Sequence, residues 1–265
     1  MDEKVLKRVS EHAQYVEAQL QNCSLFFTAL QGSQNYNLAD KESDVDTKSL
    51  VIPSLRSLIF DSQQVSKTLI VEPTEEHADA KDIRGMFDCF RKQNPNFIEI
   101  LFTPYVYVNP KYQKAYDYLH AHRDEISRMN MQQTIKATCG HIHEKYKKIT
   151  HPFPSRVEYI EKYGYDPKQL HHMYRLKEFL IRFLDGEPFS EAMVPKDIET
   201  LLAIKRGSIS CNEALAAAEE MNTWALDFMD STKHIPYPVS KEIDELLDEV
   251  AYDIIRSEVN GSSRL

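Results

Sequence analysis

The pair of aspartates with the clearest chemical meaning in this sequence is Asp44 and Asp46. They lie in the segment Ser43-Asp44-Val45-Asp46, at the start of an apparent strand that runs to Ile52. Residues two apart in a strand face the same side, so both carboxylates can reach one metal ion. Mg²⁺ prefers oxygen ligands and usually takes one or two protein carboxylates, with water and substrate phosphates completing its shell. The pair therefore predicts a magnesium site that acts on a phosphate-containing substrate.

A candidate phosphate-binding turn precedes this pair. The apolar segment SLFFTAL, residues 24–30, predicts a buried strand that runs into Gly32 and Ser33. A glycine at the end of a strand lets a phosphate oxygen approach the backbone N–H groups, and Ser33 adds a hydroxyl donor. Either motif alone is common in ordinary loops. Their order along the chain favours a nucleotide-binding site.

The elements that would position these residues change in character along the 265-residue chain. The first half shows an amphipathic helix at 3–22, strands at 24–30, 45–52 and 67–72, a helix at 80–92 and an apolar element at 96–102. The second half shows helical periods at 110–128, 130–148, 167–185, 196–206, 210–231 and 239–257. These patterns predict an α+β fold, with a mixed sheet and helices followed by a helical C-terminal region. We expect a catalytic core at 1–108 and a helical domain at 109–265 that packs on the core and completes the nucleotide site.

Composition restricts the class of protein. The hydrophobic fraction of 42% is enough for a substantial core, and seven glycines without a flexible linker indicate that the halves pack together. The four cysteines are far apart and form no CxxC pair, which fits a reducing cytoplasm. No segment resembles a signal peptide or a membrane span, so we expect a soluble, cytoplasmic protein with no membrane partner. The net charge of −9 means that any nucleic-acid contact must come from a local basic patch.

Three linked motifs resemble those of a known superfamily. They are Gly32-Ser33-Gln34-Asn35-Tyr36, Ser43-Asp44-Val45-Asp46 and Asn94-Pro95-Asn96-Phe97-Ile98-Glu99. Their order resembles the DNA polymerase β nucleotidyltransferase superfamily, and is most similar to its bacterial and phage branch of RlaP-like RNA-repair nucleotidyltransferases. Members of that branch show Gly-Ser-x-x-Tyr, Ser-Asp-x-Asp and Asn-Pro-x-x-x-Glu. The resemblance covers residues 25–105 and returns at 163–187.

The sequence departs from this pattern at two positions. Family members often carry an arginine after Gly-Ser and a glycine after the tyrosine, where this chain has Gln34 and Asn37. Phosphate contacts in the loop are therefore expected to be weaker or differently made.

The resemblance also implies a third carboxylate, which would complete a second metal site and accept the proton of the attacking hydroxyl. Asp82 is our first choice and Asp79 our second. The alternative for Asp82 is a helix N-cap, because aspartate is common at helix starts. For Glu99 we favour a structural role as a buried acid paired with Arg84 or Arg91, since an unpaired buried carboxylate is costly.

A predicted helix starting at Pro167 carries three basic residues at helical spacing. Lys168, His172 and Arg175 fall on one stripe, and family members show a similar Lys-x-x-x-His-x-x-Arg helix. The resemblance implies that the three bind the nucleotide. The alternative is that Lys168 and Arg175 pair with acids and that His172 is a core histidine. The basic stretch 141–148, which includes a tyrosine, could touch the phosphates of an acceptor, but a solvated helix face is the more common interpretation.

The resemblance implies an enzyme of the nucleotidyltransferase class (EC 2.7.7-type). It would transfer a nucleoside monophosphate from a nucleoside triphosphate to an acceptor hydroxyl and release pyrophosphate. Two Mg²⁺ ions, or Mn²⁺, would assist, held by Asp44, Asp46 and Asp82. The acceptor is left open between an RNA end, a protein hydroxyl and a small molecule.

Two alternatives stay open at this point. One is a catalytically weak nucleotide sensor or interaction protein on the same fold, with Gln34 as its sign of lost chemistry. The other is a phosphohydrolase or nuclease that uses the same carboxylates with water. Oligomeric state is also open, because the amphipathic helix from Lys241 to Val259 can seal its own core or a partner's.

Overall fold

The computed structural model describes residues 2–40, 43–61 and 63–260, and in these residues the chain has an α+β fold. The elements of the first half alternate between helices and strands. They are α1 (Glu3–Gln19), β1 (Cys23–Gln31), β2 (Asp46–Pro53), α2 (Leu55–Phe60), β3 (Ser66–Val71), β4 (Glu76–Asp82), α3 (Ile83–Arg91), α4 (Pro95–Ile98), β5 (Val106–Val108), α5 (Gln113–Ala121) and α6 (Arg123–Arg128).

Helices make up the rest of the described chain. They are α7 (Met131–Lys148), α8 (Val157–Tyr163), α9 (Pro167–Leu184), α10 (Phe189–Ala192), α11 (Ile198–Lys205), α12 (Cys211–Thr232) and α13 (Lys241–Asn260). The predicted helical character of the second half is therefore confirmed. None of the helices in the described part of the chain has the length and apolar character that crossing a bilayer needs.

Within the described residues, five strands form one mixed sheet in the order β3-β4-β2-β1-β5. Strand β1 runs antiparallel to β2 and β5, β2 runs parallel to β4, and β3 runs antiparallel to β4. One face of the sheet packs on α1, where Ala13 and Val16 meet Val51, Ala78 and Ala80 in a buried apolar cluster. Burial of this stripe of α1 holds the sheet through the hydrophobic effect.

Strand β4 is one of the elements that the sequence pattern did not predict. The expected helix at 80–92 begins instead at Ile83, and residues 76–82 form a strand. The buried positions of the segment EHADAKD are Ala78, Ala80 and Asp82, and its other residues are charged or polar, so it carries little apolar signal. Its strand conformation depends on pairing with β3, the preceding strand, and with β2, which lies further away in sequence.

The chain divides into two compact units, and the division differs from the predicted boundary after residue 108. Unit 1 comprises 39–130 together with the described residues before 36 and after 238, and unit 2 comprises 36–38 and 131–238. Helix α13 returns to unit 1, where Leu247 and Val250 are fully buried and Arg91 pairs with Asp244 at 2.5 Å. The C-terminal helix therefore closes a core of its own chain.

Unit 2 is a helical assembly built around α9. Helices α7, α11 and α12 pack against it, and the core they form includes the fully buried side chains of Ile135, Ile142, Leu170, Met173 and Ala218. Helix α9 begins at Asp166, whose side chain accepts the N–H of Lys168, with Pro167 in the first turn. This start fixes the rotational position of the basic stripe on α9.

Candidate functional site

The register of β1 and β2 brings the Gly-Ser turn beside the aspartate pair. Gln31 at the end of β1 is paired with Asp46 at the start of β2, so Gly32 continues the chain at the level of Asp44 and Val45. The side-chain Nε2 of Gln34 donates a hydrogen bond to the carbonyl oxygen of Asp44 at 2.9 Å. Two motifs that are separate in sequence thus lie together at one end of the sheet.

Gly32 has the backbone geometry and the open space that a phosphate contact requires. Its φ is +103°, which disfavours a side chain, and a Cβ placed there would meet no atom within 4 Å. Its N–H donates to Oε1 of buried Glu99 at 3.2 Å, and Ser33 then begins a 3₁₀ helix that runs to Tyr36. Glu99 therefore anchors the turn.

The predicted arginine partners of Glu99 are wrong, because both bind other acids. The Nη2 of Arg84 lies 2.7 Å from Asp82, while Arg91 binds Asp244 and Asp248 of α13. Asn37, which replaces the family's glycine, has a φ of +58°. Asparagine tolerates this left-handed conformation better than most residues, so the substitution preserves the backbone path.

Asp44 and Asp46 remain accessible to solvent. Asp44 is exposed two residues before β2, and the Asp46 side chain is 39% exposed. The Oδ1 of Asp46 accepts the backbone N–H of His77 at 3.1 Å, and the His77 Nδ1 lies 3.5 Å from the same oxygen. Asp46 is thereby oriented by β4, and its other oxygen can still bind a cation.

A buried polar network supports the backbone between the two aspartates from the opposite face. The Val45 N–H donates to Oε1 of Glu76 at 3.1 Å, while Oε2 of Glu76 binds the Nε of Arg8 at 3.0 Å and the Nε2 of His12 at 3.2 Å. Burial would raise the pKa of Glu76, but hydrogen bonds from Arg8 and Val45 outweigh it and hold that pKa below its usual value. The ionised Glu76 fixes the position of Val45. Sequence reasoning missed this role, which depends on the long-range pairing of β2 with β4.

Asp82, our first choice for the third carboxylate, is corrected to its alternative role as a helix N-cap. Its Oδ1 accepts the Gly85 N–H at 3.1 Å, and its Oδ2 accepts the Val65 N–H at 2.8 Å and Nη2 of Arg84 at 2.7 Å. Asp82 is fully buried and paired in register with Val51, on the α1 face of the sheet. Because Asp46 faces the other side, Asp82 does not join the metal site.

Asp79, our second choice, lies on the same face as Asp46 but is already partnered. It is paired in register with Lys48, whose Nζ lies 3.1 Å from Asp79 Oδ2, and Thr68 donates to Oδ1 at 2.6 Å. Burial would raise the pKa of Asp79, but the Lys48 charge and these hydrogen bonds hold it below its usual value.

The donor set in the described residues fits one metal ion held by two carboxylates. No group of three or more His, Cys, Asp or Glu side chains in this part of the chain is arranged as a metal site. Asp44 and Asp46 meet the requirement of Mg²⁺ for one or two carboxylates when substrate phosphates supply further oxygens. A third protein carboxylate for a second ion is not in place.

Basic residues of α7 and α9 lie close together within unit 2. We call Lys145, Lys168, His172 and Arg175 the cationic cluster. Burial lowers the pKa of Lys145, and the charges of Lys168 and Arg175 lower it further against the opposing effect of Glu144. Burial and then Arg175 hold the pKa of His172 well below its ordinary value. Mutual repulsion of this kind is relieved when an anion binds.

The structure also bears on the alternative for α9, in which Lys168 and Arg175 pair with acids and His172 is a core histidine. In the described residues, neither Lys145 nor Lys168 makes a side-chain hydrogen bond or ion pair. The core histidine is His171, whose Nδ1 lies 2.9 Å from the Leu201 carbonyl oxygen and whose pKa burial lowers to about 4. Arg175 is buried with its guanidinium carbon 3.9 Å from the centre of the Tyr36 ring. The tyrosine of the Gly-Ser motif therefore stacks on this cluster.

Lys145 is the member of the cluster that sequence reasoning missed. It lies in the basic stretch 141–148 that was interpreted as a solvated helix face. Its proximity to α9 depends on helix packing, which spacing along α7 does not reveal. The local density of basic residues was the available signal.

The comparison with models of protein families agrees with these motifs. A model of the RNA repair pathway DNA polymerase beta family, RlaP, matches residues 1–177, a range that contains all of the motifs above. A search of curated proteins gives no match. One similar solved structure is the crystal structure of a nucleotidyltransferase-like protein from Exiguobacterium sibiricum 255-15. It has 11% sequence identity and a TM-score of 0.29, and the match covers 95% of this chain and 92% of that chain.

Proposed function

The chain belongs to the RNA repair pathway DNA polymerase beta family, and from this premise we propose that it transfers a nucleoside monophosphate from a nucleoside triphosphate to an acceptor hydroxyl. Family membership supports a nucleotidyltransferase function in general. The observation that carries the finer proposal is the strand register, which sets the Gly32 turn beside Asp44 and Asp46.

At the α-phosphorus the reaction forms one bond and breaks one. The acceptor oxygen attacks the α-phosphorus as its hydroxyl proton passes to solvent water, the bond from that phosphorus to the oxygen that bridges it to the β-phosphate breaks, and pyrophosphate leaves. Asp44 and Asp46 would hold Mg²⁺ or Mn²⁺, which when bound neutralises the negative charge of the phosphates. Catalysis of this kind consists mainly of positioning and charge stabilisation, so no covalent enzyme intermediate is required.

The residues around the aspartates would keep this arrangement rigid. Glu76 fixes the Val45 backbone, His77 orients Asp46, and Gln34 ties the Gly-Ser turn to Asp44. Glu99 accepts the hydrogen bond of the Gly32 N–H. A phosphate would therefore contact the unobstructed side of Gly32, where a side chain is absent, and accept a hydrogen bond from the Ser33 hydroxyl. Preorganised donors lose no interaction energy to rearrangement during the reaction.

Phosphate binding is the role that we propose for the cationic cluster. The nucleotide-binding role implied by the family is kept for Lys168, His172 and Arg175. We add Lys145 because its ammonium is close enough to be repelled by the charges of Lys168 and Arg175. An arriving triphosphate would favour the protonated state of His172, whose pKa is held low first by burial and then by the charge of Arg175.

The test is a transfer assay with purified protein, each α-labelled nucleoside triphosphate, Mg²⁺ and total RNA. RNA is the first acceptor to test because the family description names RNA repair. We expect label on RNA with wild type and none with Asp44→Asn/Asp46→Asn. Label on protein or on a small molecule from cell extract would redirect the acceptor class while supporting transfer.

The two alternatives give different products. Triphosphate binding without pyrophosphate release would support a nucleotide sensor. Free nucleoside monophosphate without acceptor labelling would support a phosphohydrolase. Absence of both binding and turnover would contradict the site assignment.

The cationic cluster has its own matched comparison. Lys168→Gln and Lys145→Gln should each raise the KM for triphosphate by about tenfold, the effect of losing one charge-assisted contact. Lys147→Gln on the exposed side of α7 is the control and should leave the KM unchanged. An equal change in all three variants would show a general charge effect and contradict the assignment.

A further inference from the structure

Lys48 is a buried lysine on the same face of the sheet as Asp46. It follows Asp46 by two residues in β2 and is only 4% exposed. Its Nζ lies 3.1 Å from Asp79 Oδ2 and 4.2 Å from the centre of the Phe97 ring. Lysine is almost never buried to this extent without a charged partner. Here the partner is Asp79, the second choice for the third carboxylate that the family pattern implies.

Each oxygen of the Asp79 carboxylate already has a partner, although the side chain is 33% exposed. One oxygen accepts the Lys48 ammonium and the other accepts the Thr68 hydroxyl at 2.6 Å. The other ionisable groups on this face are His77, beside Asp46, and Lys81, whose Nζ donates to Ser66 and lies 5.6 Å from the Phe97 ring centre. No vacant carboxylate is offered on this side of β4 within the described residues.

We infer that the Lys48 ammonium takes the place of a second divalent cation beside Asp79, so that this chain binds a single catalytic metal ion, on Asp44 and Asp46. The inference rests on the proposed function and narrows it. It replaces the two-ion arrangement that the sequence resemblance implied, because neither Asp79 nor Asp82 is available as the third ligand.

The charges around Asp79 favour Lys48 over a second metal ion at this position. A cation that coordinated Asp79 would have to displace Lys48, which would leave a buried ammonium without its counter-charge. A fixed ammonium supplies one positive charge beside Asp79, without an ion that must be recruited from solution. Lys48 would then be a charge-stabilising residue of the site.

The deciding experiment counts bound Mn²⁺ by electron paramagnetic resonance, with the full chain and a non-hydrolysable nucleoside triphosphate analogue. We expect wild type and Asp79→Asn to bind one ion each, with dissociation constants that agree within about threefold. Asp46→Asn should weaken the same ion by at least about tenfold. Two ions in wild type and one in Asp79→Asn would overturn the inference while leaving the proposed transferase intact. No ion in wild type would overturn both.

A lysine variant tests the inference from the other side. Lys48→Met keeps the length of the side chain and removes its charge, so Asp79 becomes available and a second Mn²⁺ should bind. Adding Asp79→Asn should remove that second ion, and Lys67→Met on exposed β3 is the matched control that should still bind one. A folded Lys48→Met protein that binds a single ion would contradict the inference. The Asp79→Asn comparison decides the question independently if Lys48→Met does not fold.

Discussion

Substitution of Asp82 can distinguish between its two predicted roles, a helix N-cap and a catalytic acid. Its fully buried carboxylate caps α3 by accepting the Gly85 N–H, and it also accepts the Val65 N–H and pairs with Arg84. Loss of an N-cap costs about 1 kcal/mol, and loss of a hydrogen bond to a charged group costs about 1.5–3 kcal/mol. Asp82→Ala should therefore lower the free energy of unfolding by about 3–5 kcal/mol, since the Arg84 charge and two N–H groups lose their acceptor.

Asp82→Asn is the informative companion. The amide oxygen still accepts the Gly85 N–H, so the cap survives and the loss falls to about 1–2 kcal/mol. A carboxylate that binds metal or accepts a proton does not tolerate this change, whereas a cap does. Turnover of Asp82→Asn should stay within about threefold of wild type, while Asp46→Asn falls by at least about 100-fold.

Urea unfolding at neutral pH measures the first effect, and pyrophosphate release measures the second. Both variants are compared at a temperature where circular dichroism shows them folded. The reasoning would be refuted by a folded Asp82→Asn protein that loses turnover as completely as Asp46→Asn. In that case the acid acts in chemistry despite lying on the other face of the sheet.

Two further predictions concern a glycine and a histidine. Gly32→Ala should lower the free energy of unfolding by about 1–2 kcal/mol because of its positive φ, and it should raise the KM for triphosphate. Gly186, with a φ of +99° and equally open space, is the control. Gly186→Ala should cost similar stability and leave the KM unchanged. Equal KM values in the two variants would contradict a phosphate contact at Gly32. Burial lowers the pKa of His171 in the folded protein to about 4. As the pH falls, this histidine therefore takes up a proton in the unfolded chain before it does so in the folded protein. The free energy of unfolding should fall by up to about 3 kcal/mol between about pH 6.5 and pH 4. His171→Asn keeps an N–H donor for Leu201 and should flatten this part of the stability curve in urea titrations at pH 5 and pH 7; an unchanged slope would show that His171 is not the group responsible.

Local motifs predicted the residues of the site whose neighbours are set by short stretches of chain. Gly32 and Ser33 follow a strongly apolar strand, and Asp44 with Asp46 opens another, so both could be identified from the sequence. The α+β class and the helices of the second half followed from apolar periodicity. These features depend on burial patterns within single elements, which is the information that a sequence carries most directly.

The features that could not be predicted depend on pairing between distant segments. The division into compact units differs from the predicted boundary after residue 108 because α5, α6 and α13 all belong to unit 1. Helix α13 packs there through Leu247 and Val250 and pairs with Arg91, which no local pattern indicates. Lys145 was missed because its cationic neighbours come from α9. In both cases the missing information was tertiary contact.

Strand β4 shows why Asp82 and Asp79 have different roles. Read as the start of a helix, residues 79–82 put Asp79 and Asp82 on one side, because positions three apart are neighbours on a helix. In a strand the period is two, so Glu76, Ala78 and Asp82 face α1 while Asp79 faces the side of Asp46. The acids on the first face hold Val45 and the start of α3. The acid on the second face meets Lys48. A change of period therefore moves one carboxylate to the opposite face of the sheet and places a cation beside the other, and the single metal ion inferred above depends on that arrangement.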